Sequence, residues 1–401
     1  MIHRLEIENF YSIANSQVID LCAAENVPEQ PDRLVYPCKG DKERYPAVVA
    51  IFGPNAAGKT NVLRAISFIR WWVVSSFQAQ PREQLPLFPF YSECGRLEPT
   101  RIAIEFAGRE DPLDDSEFPS LCPYRYEIQI NTSKNAVLRE SLHYWPGKPR
   151  RKRRMFERYE SGEVKGSNVF PLRGFSGALT NILRPNASLV ATLAQLQHPI
   201  SLKLWDAAQW IYSNVFIDRI QDNLDVATNF YAQNKSYFET LNAEVRRFDL
   251  GIRNVELKES QGRPIALFTH EGLDTKMPLR FESSGTQRFF NIFPALKQTL
   301  EVGGIAVIDE LDADIHPMIL PEIVGWFHDP DRNPNRGQLW FSCHNPSILD
   351  SLIKEEVFFT EKDHGGRTSV YGLTDIKGVR RVDNFYKQYL GGVYGAVPSI
   401  G

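Results

Sequence analysis

Val48-Val49-Ala50-Ile51-Phe52-Gly53-Pro54-Asn55-Ala56-Ala57-Gly58-Lys59-Thr60 sets an unbroken apolar run directly before a glycine-bearing turn, and a helical pattern, roughly Lys59 to Trp72, follows it. Five consecutive apolar residues read as a buried strand. Residues 53–60 match the spacing GxxxxGK[ST], and the strand before and helix after are the context that motif requires. The glycines let the backbone wrap a phosphate with several N–H groups pointing inward, and the helix N-terminus adds partial positive charge. Lys59 is then expected to reach the β and γ phosphates of a nucleotide, and Thr60 to ligate Mg²⁺. An ordinary glycine turn is the plain alternative, and the flanking elements argue against it.

A partner for this loop lies some 250 residues away. Ile305-Ala306-Val307-Ile308-Asp309-Glu310 is an apolar strand that ends in two carboxylates. Asp309 at the strand end would hold the Mg²⁺, and Glu310 is placed to orient or deprotonate an attacking water. An acidic pair after a strand often only caps a helix; the phosphate loop changes its meaning. Ser283-Ser284-Gly285-Thr286-Gln287-Arg288 opens a helical pattern before this strand, as a second anion site or a plain N-cap. Ser342-Cys343-His344-Asn345 ends the next apolar run, so that His344 either contacts a γ-phosphate or is a structural strand-end histidine.

The rest of the composition bounds the answer. The chain has 401 residues, 42% hydrophobic and 24% charged, which favours two or three folded units and excludes disordered, collagen-like or rod-like classes. Lys and Arg total 46 against 49 Asp and Glu, a formal net charge of -3, so polyanion binding would need a local patch. Five cysteines, with no close pair, support neither a disulfide framework nor a zinc knuckle and suit a reducing cytosol. The first ten residues, MIHRLEIENF, alternate like a strand and lack the pattern of a signal peptide. No apolar run approaches the roughly 20 residues of a membrane span. A cytoplasmic protein with no membrane role is expected.

Periodicity organises the chain further. Ile2 to Leu21 reads as one strand or a pair, and Thr100 to Ala107, Tyr124 to Asn131 and Ala136 to Trp145 read as antiparallel strands. Proline-bearing stretches 79–99 and 110–123 read as surface connections. From Ser188 to Arg247 the pattern is helical, with Leu202, Leu204, Trp205 and Ala208 at three and four spacing, and no heptad persists. After residue 280, helix and strand alternate as in a parallel sheet. The expected organisation is an α/β nucleotide-binding head made of 1–80 and 280–401, an antiparallel β lobe over 81–186, and a helical insertion with connecting strands over 187–279.

Taken together these motifs resemble the ATP-binding-cassette (ABC) type P-loop ATPase head of RecF and the structural-maintenance-of-chromosomes (SMC) proteins. The residues that carry the resemblance are IENF at the start, GPNAAGKTN as Walker A, SSGTQ as signature, IDELDADIHP as Walker B with its D-loop, and the histidine at 344 as switch. Within that class the chain is similar to small prokaryotic ATPases that carry the AAA label although their signature is of the cassette kind. Its ending, Tyr389-Leu390-Gly391-Gly392-Val393-Tyr394-Gly395-Ala396-Val397-Pro398, is similar to that group's YLxGRYGAxP pattern. The resemblance covers the first eighty and last hundred and twenty residues and the middle only loosely. It implies an ATPase using ATP and Mg²⁺, bound by Gly53, Pro54, Asn55, Ala56, Ala57, Gly58, Lys59, Thr60 and Asn61. Ser284, Gly285 and Gln287 would act on nucleotide held by a second subunit, which makes the site composite and the protein a homo-oligomer built from head-to-head dimers. Gln195 would be the Q-loop ligand to Mg²⁺, with a surface glutamine as the alternative. Three positions depart from the pattern: Thr286 replaces the signature's second glycine, Tyr11 stands where Arg or Lys is common, and Val393 stands where Arg is usual.

The resemblance implies two functions. The first is a sensor or scaffold ATPase of an antiphage, abortive-infection system, which controls a separately encoded toxic effector, often a TOPRIM-type nuclease as in PARIS-like pairs, and answers a phage trigger protein. The second is a RecF- or SMC-like ATPase of DNA repair or chromosome maintenance. Lys148-Pro149-Arg150-Arg151-Lys152-Arg153-Arg154, flanked by Trp145 and Phe156, bears on the choice. Such a run can neutralise nucleic-acid phosphates, meet a protein partner or remain a solvated hairpin.

Overall fold

The computed structural model describes residues 1–398 apart from 39, 118, 219, 221–222 and 249–250. Its centre is a six-stranded sheet in the order Ile211–Ser213, Ile305–Ile308, Gln338–Ser342, Val48–Phe52, Val357–Lys362, Thr368–Gly372. The first five strands run parallel and the last is antiparallel to its neighbour. Val48–Phe52, Ile305–Ile308 and Gln338–Ser342 are buried along their whole length, because helices cover both faces. That explains their continuous rather than alternating apolar character. The helix Lys59–Ser75 packs on one face and Ser284–Val302 with Leu320–His328 on the other, so two apolar clusters form, one on each side of the sheet.

The antiparallel lobe is a seven-stranded sheet. Val164–Lys165, Arg153–Tyr159, Ala136–Tyr144, Leu121–Asn131, Thr100–Arg109, Ile2–Glu8 and Gln17–Asp20 follow one another across it. Leu121–Asn131 alternates strictly between buried and half-buried residues, as a sheet with one covered face demands. Fully buried Glu140 ties this lobe to the helix Leu189–Gln195. Its carboxylate accepts from the Tyr126 hydroxyl (2.7 Å), the Ser188 hydroxyl (2.9 Å) and the Leu189 N–H (2.8 Å), and faces Arg158 at 3.4 Å. A carboxylate at a helix N-terminus satisfies otherwise orphaned donors.

Two placements differ from the reading of periodicity. Ile2–Glu8, grouped above with the nucleotide-binding segment, pairs with Thr100–Arg109 in the antiparallel lobe. Ile211–Ser213, inside the stretch read as helical, is an edge strand of the parallel sheet beside Ile305–Ile308. Three residues directly after the helix Pro199–Gln209 carry no alternation of their own, and only the neighbouring strand makes them a strand. The helices Leu224–Gln233 and Lys235–Phe248 and the small sheet Ile252–Ser260, Arg263–His270, Met277–Pro278 lie before the helix that opens at Ser284. Among the described residues no helix is long and apolar enough to cross a membrane.

The N-terminal strand makes the fold acid-sensitive. His3 is buried and stacked on Tyr45 at 4.0 Å, and burial pushes its imidazole from 6.5 down to about 3. Glu6 is held down to about 2, first by its hydrogen bond to Arg125 and then by the charges of Arg125, Arg101 and Arg4. Both folded values lie below the unfolded ones, so the unfolded chain takes up protons first and stability falls on acidification. The His3 contribution is lost from about pH 6.5 toward 3, and the Glu6 contribution from about 4.5 toward 2. The unfolding midpoint in urea is expected to fall between pH 7 and 4 by an amount worth a few kcal/mol, about 2–4 after solvent screening. A midpoint flat over that range would contradict this account.

Candidate functional site

The loop 53–58 turns on backbone that side chains rarely adopt. Gly53 has φ +149° and Gly58 φ +108°; a Cβ on Gly58 would stand 2.3 Å from Thr368 Oγ1 and one on Gly53 2.4 Å from the Thr360 carbonyl oxygen. The loop is therefore seated on the strand pair 357–372, and its shape depends on that contact. A chain of hydrogen bonds locks it from the other side. The Asn61 amide donates to the Ser12 hydroxyl (2.6 Å), Ser12 meets Thr368 (2.7 Å), and Thr368 donates to the Ala57 carbonyl (2.8 Å).

Lys59 and Thr60 begin the helix. Lys59 Nζ donates to the carbonyls of Gly53 (2.8 Å) and Pro54 (3.1 Å), so the ammonium is held across its own loop. Burial pushes it below the usual lysine range, while Asp309, Glu310 and Asp312 pull it back up. The Thr60 hydroxyl lies 3.1 Å from both carboxylate oxygens of Asp309. Asp309 is fixed by two residues that sequence reading missed. Ser342 donates its hydroxyl to Asp309 Oδ1 (2.6 Å) and accepts the Glu310 N–H (2.7 Å). Asn214, which follows the edge strand, accepts the Asp309 N–H (2.6 Å) and donates to its carbonyl (3.0 Å).

Glu310 adopts φ 51°, a left-handed position unusual for a glutamate, with its side chain 39% exposed. His344 Nε2 lies 3.7 Å from Glu310 Oε1. Asp312 holds the start of the turn after Ser342, accepting the N–H groups of His344 (2.9 Å) and Asn345 (2.8 Å). A cavity of about 760 Å³ is lined by 55–61, Arg64, Asp309, Glu310, Asp312, Ala313, His344 and Lys362. Arg64 and Lys362 were not anticipated. Arg64 lies over the Tyr11 ring at 4.9 Å and donates to Asn61 Oδ1 (2.8 Å), so Tyr11 is packed beside this cavity.

Ser284, Gly285, Gln287 and Gln195 do not line it. Ser283 caps its helix by accepting the Thr286 N–H (3.1 Å), and Ser284 is exposed. A Cβ on Gly285 would stand 2.5 Å from the Asp314 carbonyl oxygen, so the helix start abuts the segment after the Asp309-Glu310 pair. The Gln287 amide donates back to the Glu282 carbonyl (2.9 Å). Gln195 is exposed at the end of the helix Leu189–Gln195, whereas the amide side chain that meets Asp309, at its backbone, is that of Asn214. A hydrophilic residue following a three-residue strand carries no pattern by which spacing alone would have found it.

The donor set suits a nucleotide with Mg²⁺. Gly53 and Gly58 let the loop lie close against Thr360 and Thr368, and Lys59 Nζ is held across the loop on the Gly53 and Pro54 carbonyls, an arrangement suited to a phosphate. Thr60 and Asp309 offer hard oxygen atoms, and among the described residues no cluster of three or more His, Cys, Asp or Glu forms a cage of its own. Mg²⁺ characteristically takes one or two protein oxygens and completes its shell with phosphate and water.

A family model described as "AAA domain, putative AbiEii toxin, Type IV TA system" matches residues 48–350. No curated protein matches the chain. Among solved structures, it is similar to the SMC head domain from Thermotoga maritima at 12% identity, covering 92% of this chain and 98% of that one with a TM-score of 0.41. It is similar to the SmcHead bound to the C-winged helix domain of ScpA at 12% identity, with 93% and 99% covered and a TM-score of 0.48. An Smc head with an extended coiled coil, bound to the C-terminal domain of ScpA derived from Pyrococcus furiosus, gives 12% identity, 98% and 99% covered and a TM-score of 0.42.

Proposed function

Because the chain belongs to the AAA-domain family whose description names the AbiEii toxin and type IV TA systems, we propose that it is the ATP-binding and ATP-hydrolysing sensor of an antiphage defence system. In this reading it scaffolds or restrains a separately encoded toxic effector, a TOPRIM-type nuclease in the manner of PARIS-type pairs. The observation that carries the ATPase half is the joining of Lys59, Thr60, Asp309, Glu310 and His344 around one cavity. Bound ATP and Mg²⁺ would supply the reactive phosphoryl group and its charge neutralisation. Lys59 and the loop N–H groups bind and orient the phosphates, Thr60 and Asp309 hold the cation, and Glu310 takes the proton of water. Ser342 and Asn214 keep Asp309 and Glu310 in place from behind.

The family description names a toxin and a type IV TA system; the antiphage role and the separate effector go beyond it and are tested by expression in a bacterial host under phage challenge. The ATPase gene with the gene encoded beside it should protect, and neither alone should. Full protection by this chain alone would remove the two-component reading.

Ser284 and Gly285 stand apart from the phosphate loop of their own subunit, which favours a site completed by a second copy. Inactive Lys59→Ala mixed with inactive Ser284→Arg should recover part of the ATPase activity, because one of the two sites in a mixed dimer contains two intact halves. No recovery, with subunit exchange demonstrated, would argue for a self-contained site.

The basic run favours a second reading, a RecF- or SMC-like ATPase acting on DNA. It divides in two. Arg150 pairs with Asp41 at 2.6 Å and Lys148 donates to the Gly40 carbonyl, so these two tie the run to the segment 40–41. Arg151, Lys152, Arg153 and Arg154 are exposed on the same lobe. Salt-dependent duplex binding that disappears when these four become Ser would support this reading.

A further inference from the structure

A second cavity, of about 340 Å³, wraps the open edge of the parallel sheet. Ile211–Ser213 is the last strand of that sheet and has a neighbour, Ile305–Ile308, on one side only. Residues 209–213 line the cavity, the helix Lys59–Ser75 brings Arg70 to it from one face of the sheet, and the helix Ser284–Val302 brings Gln298 from the other. None of the described lining residues belongs to the nucleotide cavity. Arg70 lies eleven positions along the helix from Lys59, about 16 Å at the helical rise of 1.5 Å per residue.

Arg70 carries a charge that nothing described neutralises. Among the described residues it makes no hydrogen bond or ion pair, and its Nε is sealed from solvent without a partner. Burial pushes the guanidinium below the usual arginine range, and no acid pulls it back. Arg125 and Arg158, which are also set into the protein, each face a carboxylate, Glu6 and Glu140 respectively. Among the described lining residues of this cavity there is no Asp or Glu. The acids on nearby turns are placed elsewhere: Asp206 lines a separate apolar space on the lobe side, and Glu301 pairs with Lys297 at 2.6 Å. The amides of Gln209 and Gln298 also have no hydrogen-bond partner among the described residues. Trp210, Ile211 and Ile220 supply apolar wall beside these donors. A partly buried cation and two idle amides around one space leave donors without acceptors, a condition folded proteins rarely tolerate without a ligand or ordered water.

We propose that this cavity binds a small organic carboxylate, its head on Arg70, Gln209 and Gln298 and its apolar body against Trp210, Ile211 and Ile220. The planar guanidinium suits a carboxylate, which accepts charge-assisted hydrogen bonds from it. A single cation in the described lining matches one negative charge, so a monoanion fits better than a phosphate dianion. The volume lies within the roughly 300–1,000 Å³ of small-molecule pockets. It is about twice the roughly 150 Å³ that holds benzene, enough for a ring or short branched chain together with its carboxylate. This proposal is independent of the nucleotide site.

The test is isothermal titration of the full chain with benzoate and, separately, with benzamide, which has the same ring and no charge. Benzoate should bind saturably at one site, and benzamide at least about tenfold more weakly. Arg70→Gln should weaken benzoate by about tenfold and benzamide by less than about twofold. Because Arg70 has no partner to lose, that variant should melt no lower than the parent protein. Should it nevertheless unfold, Gln298→Leu carries the test, with benzoate weakened about fivefold through the lost amide donor. Absence of saturable benzoate binding, equal affinity for benzamide, or unchanged benzoate binding in a folded Arg70→Gln or Gln298→Leu variant would each overturn the assignment.

Discussion

Lys59→Ala is expected to reduce ATP hydrolysis by about a thousandfold or more and to weaken nucleotide binding, with the fold retained. Lys59 Nζ is the positive group seated on the loop itself, in a cavity that also holds Asp309, Glu310 and Asp312, and those three carboxylates already pull its proton affinity up against burial. Removing the ammonium leaves a polyphosphate facing three carboxylates with only Arg64 and Lys362, at the cavity wall, to offset them among the described lining residues. In a low-dielectric cleft such a change in charge balance outweighs any lost packing. The side chain's own bonds go to the Gly53 and Pro54 carbonyls, so its loss costs the fold no more than about 1–2 kcal/mol. ATP turnover, nucleotide affinity and thermal melting, measured on the same preparation, check all three parts. Unchanged hydrolysis would remove the phosphate-loop assignment.

Glu310→Gln should hydrolyse ATP about 10²- to 10⁴-fold more slowly while still binding it. Its left-handed backbone position points an incompletely buried carboxylate into the cavity, and its N–H is held by Ser342. An amide of the same shape preserves that geometry and removes the proton acceptor. Asp309→Asn should behave differently. Asp309 meets Thr60 at 3.1 Å from both oxygens, so its loss is expected to weaken Mg²⁺-dependent binding as well as turnover. If Glu310→Gln turned over at the parental rate, the base would have to be sought elsewhere, with His344, 3.7 Å from Glu310, as the first candidate.

The same charge-run residues illustrate how far a sequence carries. Arg150 and Arg151 are adjacent and chemically identical, yet Arg150 is bound to Asp41, 109 positions earlier, and Arg151 faces solvent. No local pattern separates them. A charge-removal experiment that included Arg150 would mix the loss of a structural ion pair with the loss of surface charge.

The amino-acid sequence by itself determined the phosphate loop, the carboxylate pair and the three central strands of the lobe, Thr100–Arg109, Leu121–Asn131 and Ala136–Tyr144. Each is written in consecutive residues: Gly53 to Thr60 forms its cradle from neighbouring backbone, and Leu121–Asn131 announces one covered face by a period of two. Tertiary structure alone decided what stands behind them. Ser342 and Asn214 reach Asp309 only because two strands, starting at 338 and 211, lie on either side of Ile305–Ile308. Ser12 and Thr368 meet across 356 positions to hold the loop at Ala57. Gln195 is the amide named from the sequence, and an edge strand three residues long instead brings Asn214 to the Asp309 backbone. Hydroxyls and amides of common type leave no periodicity, and their hydrogen bonds are set by which strands become neighbours, a result of packing the whole sheet between two layers of helices.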